Sequence, residues 1–411
     1  MTRTIAMAAV LVLSGHLACG EEESTPCDTC APPDMPSEDA IEILRDEYGV
    51  PHIFAADEVS AAFAWGFVHA EDLGEELLYH AYSGEGRCAE VFGRVVPYGG
   101  CLALDTMTRK FGLLSTVEAH YASLDARARA LLESYVDGVN HYFSRRDASP
   151  TAYVRPVTTK SLVGAAMLVR LDHLTRKSQI IAHGDFGSNA FAVSNERTVD
   201  ATTIVAGDPH QGWGERQALI HLRIDGLDMV GESELGPFLS GGGNSCFGSS
   251  GTAAWTTSAV VVQAELNQDG DHYFDHAADG FVPLEQRLFH IDVAGEPEGV
   301  DYELLVTRFG PVEVYAPEQR VAYILRVFGL EDLSFVDFLV QRNSIRDLDE
   351  ELAFYARAIP PGFNGNNISV DHEGDISYVF SGVPEEVEQH LCPYADQPGH
   401  EHAARTLLQL P

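Results

Sequence analysis

The residues whose types and spacing best suit chemistry are Gly187, Ser188 and Asn189, which open the segment GSNAFAVS. A second segment, GDPHQGW, places His210 22 residues beyond the serine. A serine hydroxyl is a poor nucleophile until a base removes its proton, and nothing local to Ser188 supplies one. Cleavage between Gly187 and Ser188 would supply it. The freed α-amine has a pKa near ~7.7, so a good part of it is unprotonated at neutral pH. Gly187 has no side chain to obstruct attack on its own carbonyl, which suits self-cleavage. Taken alone, the motif also reads as a Gly–Ser turn before a short apolar strand, FAV, because three-residue motifs recur by chance.

Such a nucleophile needs a scaffold, and composition allows one. A chain of 411 residues with 45% hydrophobic residues buries a large core. Its 26 Lys and Arg against 62 Asp and Glu give a formal charge of −36, which repels nucleic acid and anionic membrane surfaces. No GxSxG elbow is present, which disfavours an α/β-hydrolase. No HExxH and no clustered His/Cys set point to a metallohydrolase.

Residues 1–18 read as a secretory signal, with an Arg, an apolar run from Ile5 to Leu13 and then small residues. That run is too short to span a bilayer. Cys19, followed by Gly20 and acidic residues, is similar to a bacterial lipoprotein cleavage site, with His16 where an aliphatic residue is usual. Export, to the periplasm or to a lipid anchor at Cys19, is expected. Seven cysteines fit that compartment. With Cys19 lipidated, six remain, and Cys88 and Cys101, flanking an expected hairpin at EVFGRVVPYGG, are the best pair. Cys27 and Cys30 form an isolated CxxC in a Pro-rich stretch, which disfavours zinc.

Along the chain, residues 19–39 read as a polar tether. Residues 40–175 read as short strands alternating with amphipathic helices; Leu131, Leu132, Tyr135, Val136 and Val139 recur at helical spacing. Residues 176–187 read as a linker that is cut or excised. From 188 the pattern changes to alternating strands, including TIVAG, ALIHLRID, AVVVQAEL, YELLVTRF and VAYILRVF. Residues 188–411 therefore read as a sheet-rich region.

Six ordered segments carry a resemblance. They are IEILRDEYGVPHIFA (41–55), AAFAWGFVHAEDLGEELLYHAYSGEGRCAEVFG (61–93), LLESYVDGVNHYF (131–143), GSNAFAVS with GDPHQGW (187–213), FGSSGTAAWTTSA (247–259) and NNISVDHEGDISYVFSGVPEE (366–386). Together they resemble the penicillin amidase and acyl-homoserine-lactone acylase family of N-terminal-nucleophile hydrolases. The resemblance implies an α+β fold, a four-layer αββα sandwich preceded by a mainly helical α-subunit region. It implies hydrolysis of a linear acyl amide, a C–N bond other than a peptide bond. It also implies autocatalytic cleavage of Gly187–Ser188 and a heterodimer of the chain's own α and β fragments. After Glu386 relatives continue with a long further stretch, so the β region here is expected to be incomplete. The competing expectation, from a different class, is a non-catalytic exported surface protein that keeps the fold without turnover.

On that alignment Ser188 is the nucleophile and His210 the polar residue that orients its amine. Amide attack creates an oxyanion that preorganised donors must meet. The backbone N–H of Ala259 and the side-chain amide of Asn366 match those donors. Asn366 stands five residues before Asp371 in the family's Asn-x-x-x-x-Asp-x-x-Gly spacing, with Asn364 and Asn367 as rivals in a turn-rich FNGNN. Gln211, Phe247 and Thr257 fall at wall positions of the acyl pocket, between helix 162–171 and the β region. A calcium site often follows the oxyanion strand in the family. Only Glu265 falls near its acidic positions, and calcium is carried as a possible cofactor.

Overall fold

The structure is a computed structural model that describes residues 41–94, 100–145, 150–180, 188–209, 218–224, 227–233, 235–243, 247–253, 259–358, 365–381 and 407–410. The chain opens with strands β1 (Glu42–Arg45) and β2 (Pro51–Phe54). Seven helices follow: α1 (Glu58–Leu73), α2 (Glu75–Gly84), α3 (Cys88–Phe92), α4 (Cys101–Lys110), α5 (Leu113–His120), α6 (Ala126–Phe143) and α7 (Thr159–Ile180). Next come β3 (Ser188–Val193), β4 (Ile204–Pro209), β5 (Ala218–Ile224), β6 (Leu227–Ser233), β7 (Leu239–Gly243), β8 (Phe247–Ala253) and β9 (Ala259–Glu265). The hairpin strands β10 (His272–Asp275) and β11 (Gly280–Pro283) precede β12 (Glu285–Val293), β13 (Glu296–Thr307), β14 (Gly310–Ala316) and β15 (Val321–Val327). Helices α8 (Ser334–Arg342) and α9 (Leu348–Ala358) then lead to β16 (Gly365–Asp371), β17 (Ile376–Ser381) and β18 (Leu407–Leu410).

The helical region follows from its sequence. Asp57 caps α1, its carboxylate accepting the Ser60 N–H at 2.7 Å, and Gly74 ends the helix at φ 56°. The periodic residues expected to face a core, Leu131, Leu132, Tyr135, Val136 and Val139, are all buried on α6. Two glycine pairs let helices touch backbone to backbone. A Cβ at Gly66 of α1 would lie 1.9 Å from the Tyr135 carbonyl oxygen, and one at Gly138 of α6 1.9 Å from that of Phe63. Gly84 of α2 and Gly164 of α7 repeat the device. Residues 176–180, the first part of the expected linker, continue α7, which is rich in good helix formers. One feature differs from expectation. Cys88 and Cys101 are disulfide-bonded with Cα atoms 5.1 Å apart, but they open two helices rather than flank a hairpin. The Asp105 carboxylate draws α3 into a helix by accepting the N–H groups of Cys88 at 2.9 Å and Ala89 at 2.7 Å.

All the strand patterns read from residue 188 onward are strands. They divide between a nine-stranded sheet, β1-β2-β5-β6-β7-β8-β16-β17-β18, and a five-stranded sheet, β12-β13-β14-β15-β9, besides the ribbon β3-β4 and the hairpin β10-β11. One core runs from Ile53, Ile220, Leu222 and Ile224 of the large sheet through α1, α2, α6 and α7 to Ile291, Val293 and Val327 of the smaller one. The helical region is thus packed between the two sheets, and α8 and α9 continue it over β8, β16 and β17. A buried network pins it in place. Trp65 Nε1 only donates, and it lies 3.0 Å from His69 Nε2 and 2.8 Å from Ser233 Oγ. His69 Nδ1 faces Tyr135 Oη at 2.6 Å. Burial pushes the His69 pKa down to about 3. The other face of the large sheet carries the ribbon. Among the described residues nothing covers the outer side of that ribbon, where Phe191 is 53% exposed, so the fourth, helical layer of the expected sandwich is not among them.

Candidate active site

Ser188 is the first residue of β3 and pairs with Pro209 of β4. Alternation assigns the ribbon's two faces. Asn189 and Phe191 are exposed, with Asp208 and Ile204 beside them; Asn189 donates to the Asp208 carboxylate at 3.1 Å. Positions 188, 190 and 192 of β3, with 205, 207 and 209 of β4, share the opposite face. That face meets the large sheet. A Cβ at Gly207 would lie 2.2 Å from Ser250 Oγ, and a Cβ at Gly248 2.6 Å from Val205 Cγ1.

These two contacts form a ladder. Gly207 pairs with Ala190 and Ser250 with Ile368; Val205 pairs with Ala192 and Gly248 with Val370. Positions 190 and 368 are therefore level across the gap, and so are 192 and 370. One step of two residues back along both strands brings Ser188 level with Asn366, which pairs with Thr252. Position 366 shares the ribbon-facing side with 368 and 370.

Position 367 lies on the other side. The Asn367 Oδ1 accepts from Arg342 of α8 at 3.2 Å, and the residue is buried. Ser249, Ser369 and Ser377 stand in one registered row on that same side. The Glu351 carboxylate of α9 accepts from Ser249 Oγ at 3.0 Å and from Ser377 Oγ at 3.2 Å, and Glu351 is 1% exposed. Phe247, expected as a pocket wall, also lies here. Two steps of alternation from Ser249 put it away from the ribbon, in a core cluster with Phe338, Phe354 and Tyr355.

Ala259 opens β9 and pairs with Val327 in the five-stranded sheet. The stretch FGSSGTAAWTTSA, read as one strand, is thus two strands of two sheets, β8 and β9. Glu265 is an exposed surface residue that accepts from Arg320 at 2.9 Å. Among the described residues no group of three or more His, Cys, Asp or Glu could hold a metal ion. Gly187, His210, Gln211 and Thr257 lie outside the described residues, as do Cys19, Cys27, Cys30, Cys246 and Cys392.

The penicillin amidase family model matches residues 40–401. The chain belongs to the penicillin amidase family. It is 25% identical over 373 residues to a penicillin acylase 2 proenzyme of Pseudomonas sp. (strain SE83), covering 72% of this chain and 46% of that protein. It is 25% identical over 426 residues to the acyl-homoserine lactone acylase PvdQ of Pseudomonas putida (strain KT2440), covering 88% of this chain and 53% of that protein. The chain therefore spans about half the length of these relatives. Among solved structures, a thermostable penicillin G acylase from Alcaligenes faecalis aligns with a TM-score of 0.42 at 22% identity, covering 48% of this chain and 35% of that one.

Two arrangements in this penicillin amidase family member escaped the sequence reading. The first is the Glu351 cradle, whose serines alternate in three separate strands and show no local motif. The second joins β2 to β5. His52 Nδ1 and His221 Nδ1 are 2.8 Å apart, and His221 Nε2 lies 2.6 Å from Asp228. The partners are 169 residues apart in sequence, and only the strand pairing brings them together.

Proposed function

We propose that this protein hydrolyses a linear acyl amide through Ser188, made N-terminal by autocatalytic cleavage of the Gly187–Ser188 bond. The observation that supports the reading is the ladder that sets Ala190 and Gly207 over Ile368 and Ser250, and Ala192 and Val205 over Val370 and Gly248, whose continuation by two residues reaches positions 188 and 366. A nucleophile and an oxyanion donor need that relation, and chance placement within two long segments would not favour it. The Ser188 hydroxyl adds to the acyl carbonyl carbon while its proton passes, through water, to its own α-amine. The carbonyl oxygen becomes an oxyanion held by the Asn366 amide and the Ala259 N–H. Collapse breaks the C–N bond, the amine leaves with the proton, and water hydrolyses the Ser188 ester to release the carboxylic acid. His210 orients the amine, and Gln211 and Thr257 border the acyl group.

The same reading divides the chain into an exported leader (1–18), a tether (19–39), an α fragment and a β fragment from Ser188, which pair as a heterodimer. Removal of residues 1–18 and acylation of Cys19 are part of this proposal, as is a bacterial periplasmic or membrane-anchored location. The test is hydrolysis of a panel of chromogenic acyl-anilides. Turnover by the wild-type protein and none by Ser188→Ala supports the reading. Equal rates for both would overturn it.

A further inference from the structure

The ribbon is fastened to the large sheet at one end, and that end is far from Ser188. After β3 the chain turns at Asn195. The Asn195 Nδ2 donates to the His372 carbonyl at 3.3 Å and to the Glu373 carbonyl at 3.1 Å, in the turn between β16 and β17. The turn is shaped to receive it. Gly374 sits at φ 97°, and a Cβ there would lie 2.4 Å from Asn195 Oδ1 and 2.6 Å from Ser194 Oγ. The Asn195 Oδ1 in turn accepts from Ser194 Oγ at 3.3 Å. The side chain thus joins the end of the nucleophile strand to the end of the strand that bears Asn366.

Strand length makes this contact matter. From Ser188 to the end of β3 there are six residues, and from Asn366 to the end of β16 also six. At about 3.3 Å per residue both strands reach back some ~20 Å from the same anchor. Equal spans from a common point bring residues 188 and 366 level. Between anchor and site the two surfaces meet where the Ser250 side chain of the sheet sits on Gly207 and the Val205 side chain of the ribbon sits on Gly248. These two contacts lie on β4 and β8, so the Asn195 contact is the one that ties the end of β3 directly to the end of β16 and completes the axial register of the two strands.

We propose that Asn195 is a positioning residue: its amide, seated against Gly374, sets the register of the Ser188 strand against the Asn366 strand. The inference rests on the reading of Ser188 as nucleophile and Asn366 as oxyanion donor. Asn195→Asp keeps the shape and removes the donor; Asn195→Ala removes both. For the processed enzyme, losing two hydrogen bonds of ordinary strength implies a fall in kcat of roughly tenfold. KM should hold, because no pocket residue is touched, and the global unfolding midpoint should not move. Gly374→Ala should produce the same kcat loss, and combined with Asn195→Ala it should cost little more, since both break one contact. Unchanged kcat in Asn195→Asp and Asn195→Ala, or a loss that follows global stability, overturns the proposal.

A second measurement separates this inference from the catalytic reading. In the Ser188→Ala background, where turnover plays no part, Asn195→Asp should speed hydrogen exchange at the amides of β3 and β4 while leaving β12 to β15 unchanged. Unchanged exchange in the ribbon overturns the anchor whether or not the protein is an acylase. Faster ribbon exchange with an inactive wild type would leave the anchor standing and remove only the function.

Discussion

The two faces of β16 differ more than their shared backbone suggests. Toward α8 and α9 the strand presents Asn367, which accepts from Arg342, and the buried Ser369, flanked by Ser249 and Ser377, whose hydroxyls donate to the buried Glu351. Toward the ribbon it presents positions 366, 368 and 370, opposite Ser188, Ala190 and Ala192 across a gap kept thin by glycine. Adjacent asparagines therefore have different employment: Asn367 is committed to holding a helix, and Asn366 stands on the face that meets the nucleophile strand. A buried carboxylate with two hydroxyl donors is costly to build and costly to break, since each orphaned partner keeps its desolvation penalty. The cradle ties β8 and β17, the two neighbours of β16, to α9, and a fixed strand is what a preorganised donor requires.

The comparison breaks most sharply at the asparagines. Asn366→Ala should lower kcat by about 10²–10³, the usual cost of one oxyanion donor, with unfolding free energy little changed. Asn367→Ala should do the reverse, lowering stability by about 1–2 kcal/mol with a small change in kcat, because Arg342 loses its acceptor. Steady-state kinetics and urea unfolding on the two purified variants separate them. A collapse of kcat at Asn367 with Asn366 neutral would exchange the faces.

Glu351 tests the cradle itself. Glu351→Ala leaves Ser249 and Ser377 without their acceptor and opens space under β16, and should destabilise the protein by about 2–4 kcal/mol. Thermal unfolding reads this directly. Loss of less than about half of that range would mean that the cradle is not what stiffens the strand.

The helical region supplies a control far from both faces. Burial pushes Asp105 up to about 6, against an ordinary carboxylate value of 3.8, in spite of the two N–H groups it accepts. The folded state thus binds the proton more tightly than the unfolded chain. The sign follows: Asp105 favours folding fully below about pH 4, and that contribution fades as pH rises through about 6. The difference amounts to about 2–3 kcal/mol. Asp105→Asn should remove that pH dependence, seen as a flatter unfolding free energy between about pH 4 and pH 6.5, with no effect on ribbon exchange. A wild-type pH slope retained in the variant would assign it elsewhere.

Local patterns were legible where they are local. The amphipathic period of α6 and the alternating strands after residue 188 could be read because each rests on neighbours in sequence. The choice of Asn366 came from the family spacing to Asp371 and Gly374; of that spacing the structure shows Gly374 at φ 97° in the turn after β16. What escaped depends on distant partners. The helical start at Cys88 comes from the carboxylate of Asp105, 17 residues on, so EVFGRVVPYGG alone suggested a hairpin. The direction in which Phe247 faces, toward α8 and α9, is not written in its own segment of sequence. The packing of β8, with Gly248 and Ser250 toward the ribbon and Ser249 toward Glu351, fixes that direction. The division of 247–265 between two sheets likewise has no local signal.

The central claim is that Ser188 becomes an N-terminal nucleophile, and intact-mass spectrometry of the freshly expressed protein tests it most directly. Two fragments meeting at Gly187 and Ser188 in the wild type, with a single uncut chain in Ser188→Ala, is the predicted result. A wild-type chain that stays whole, or a cut that persists unchanged in Ser188→Ala, contradicts it.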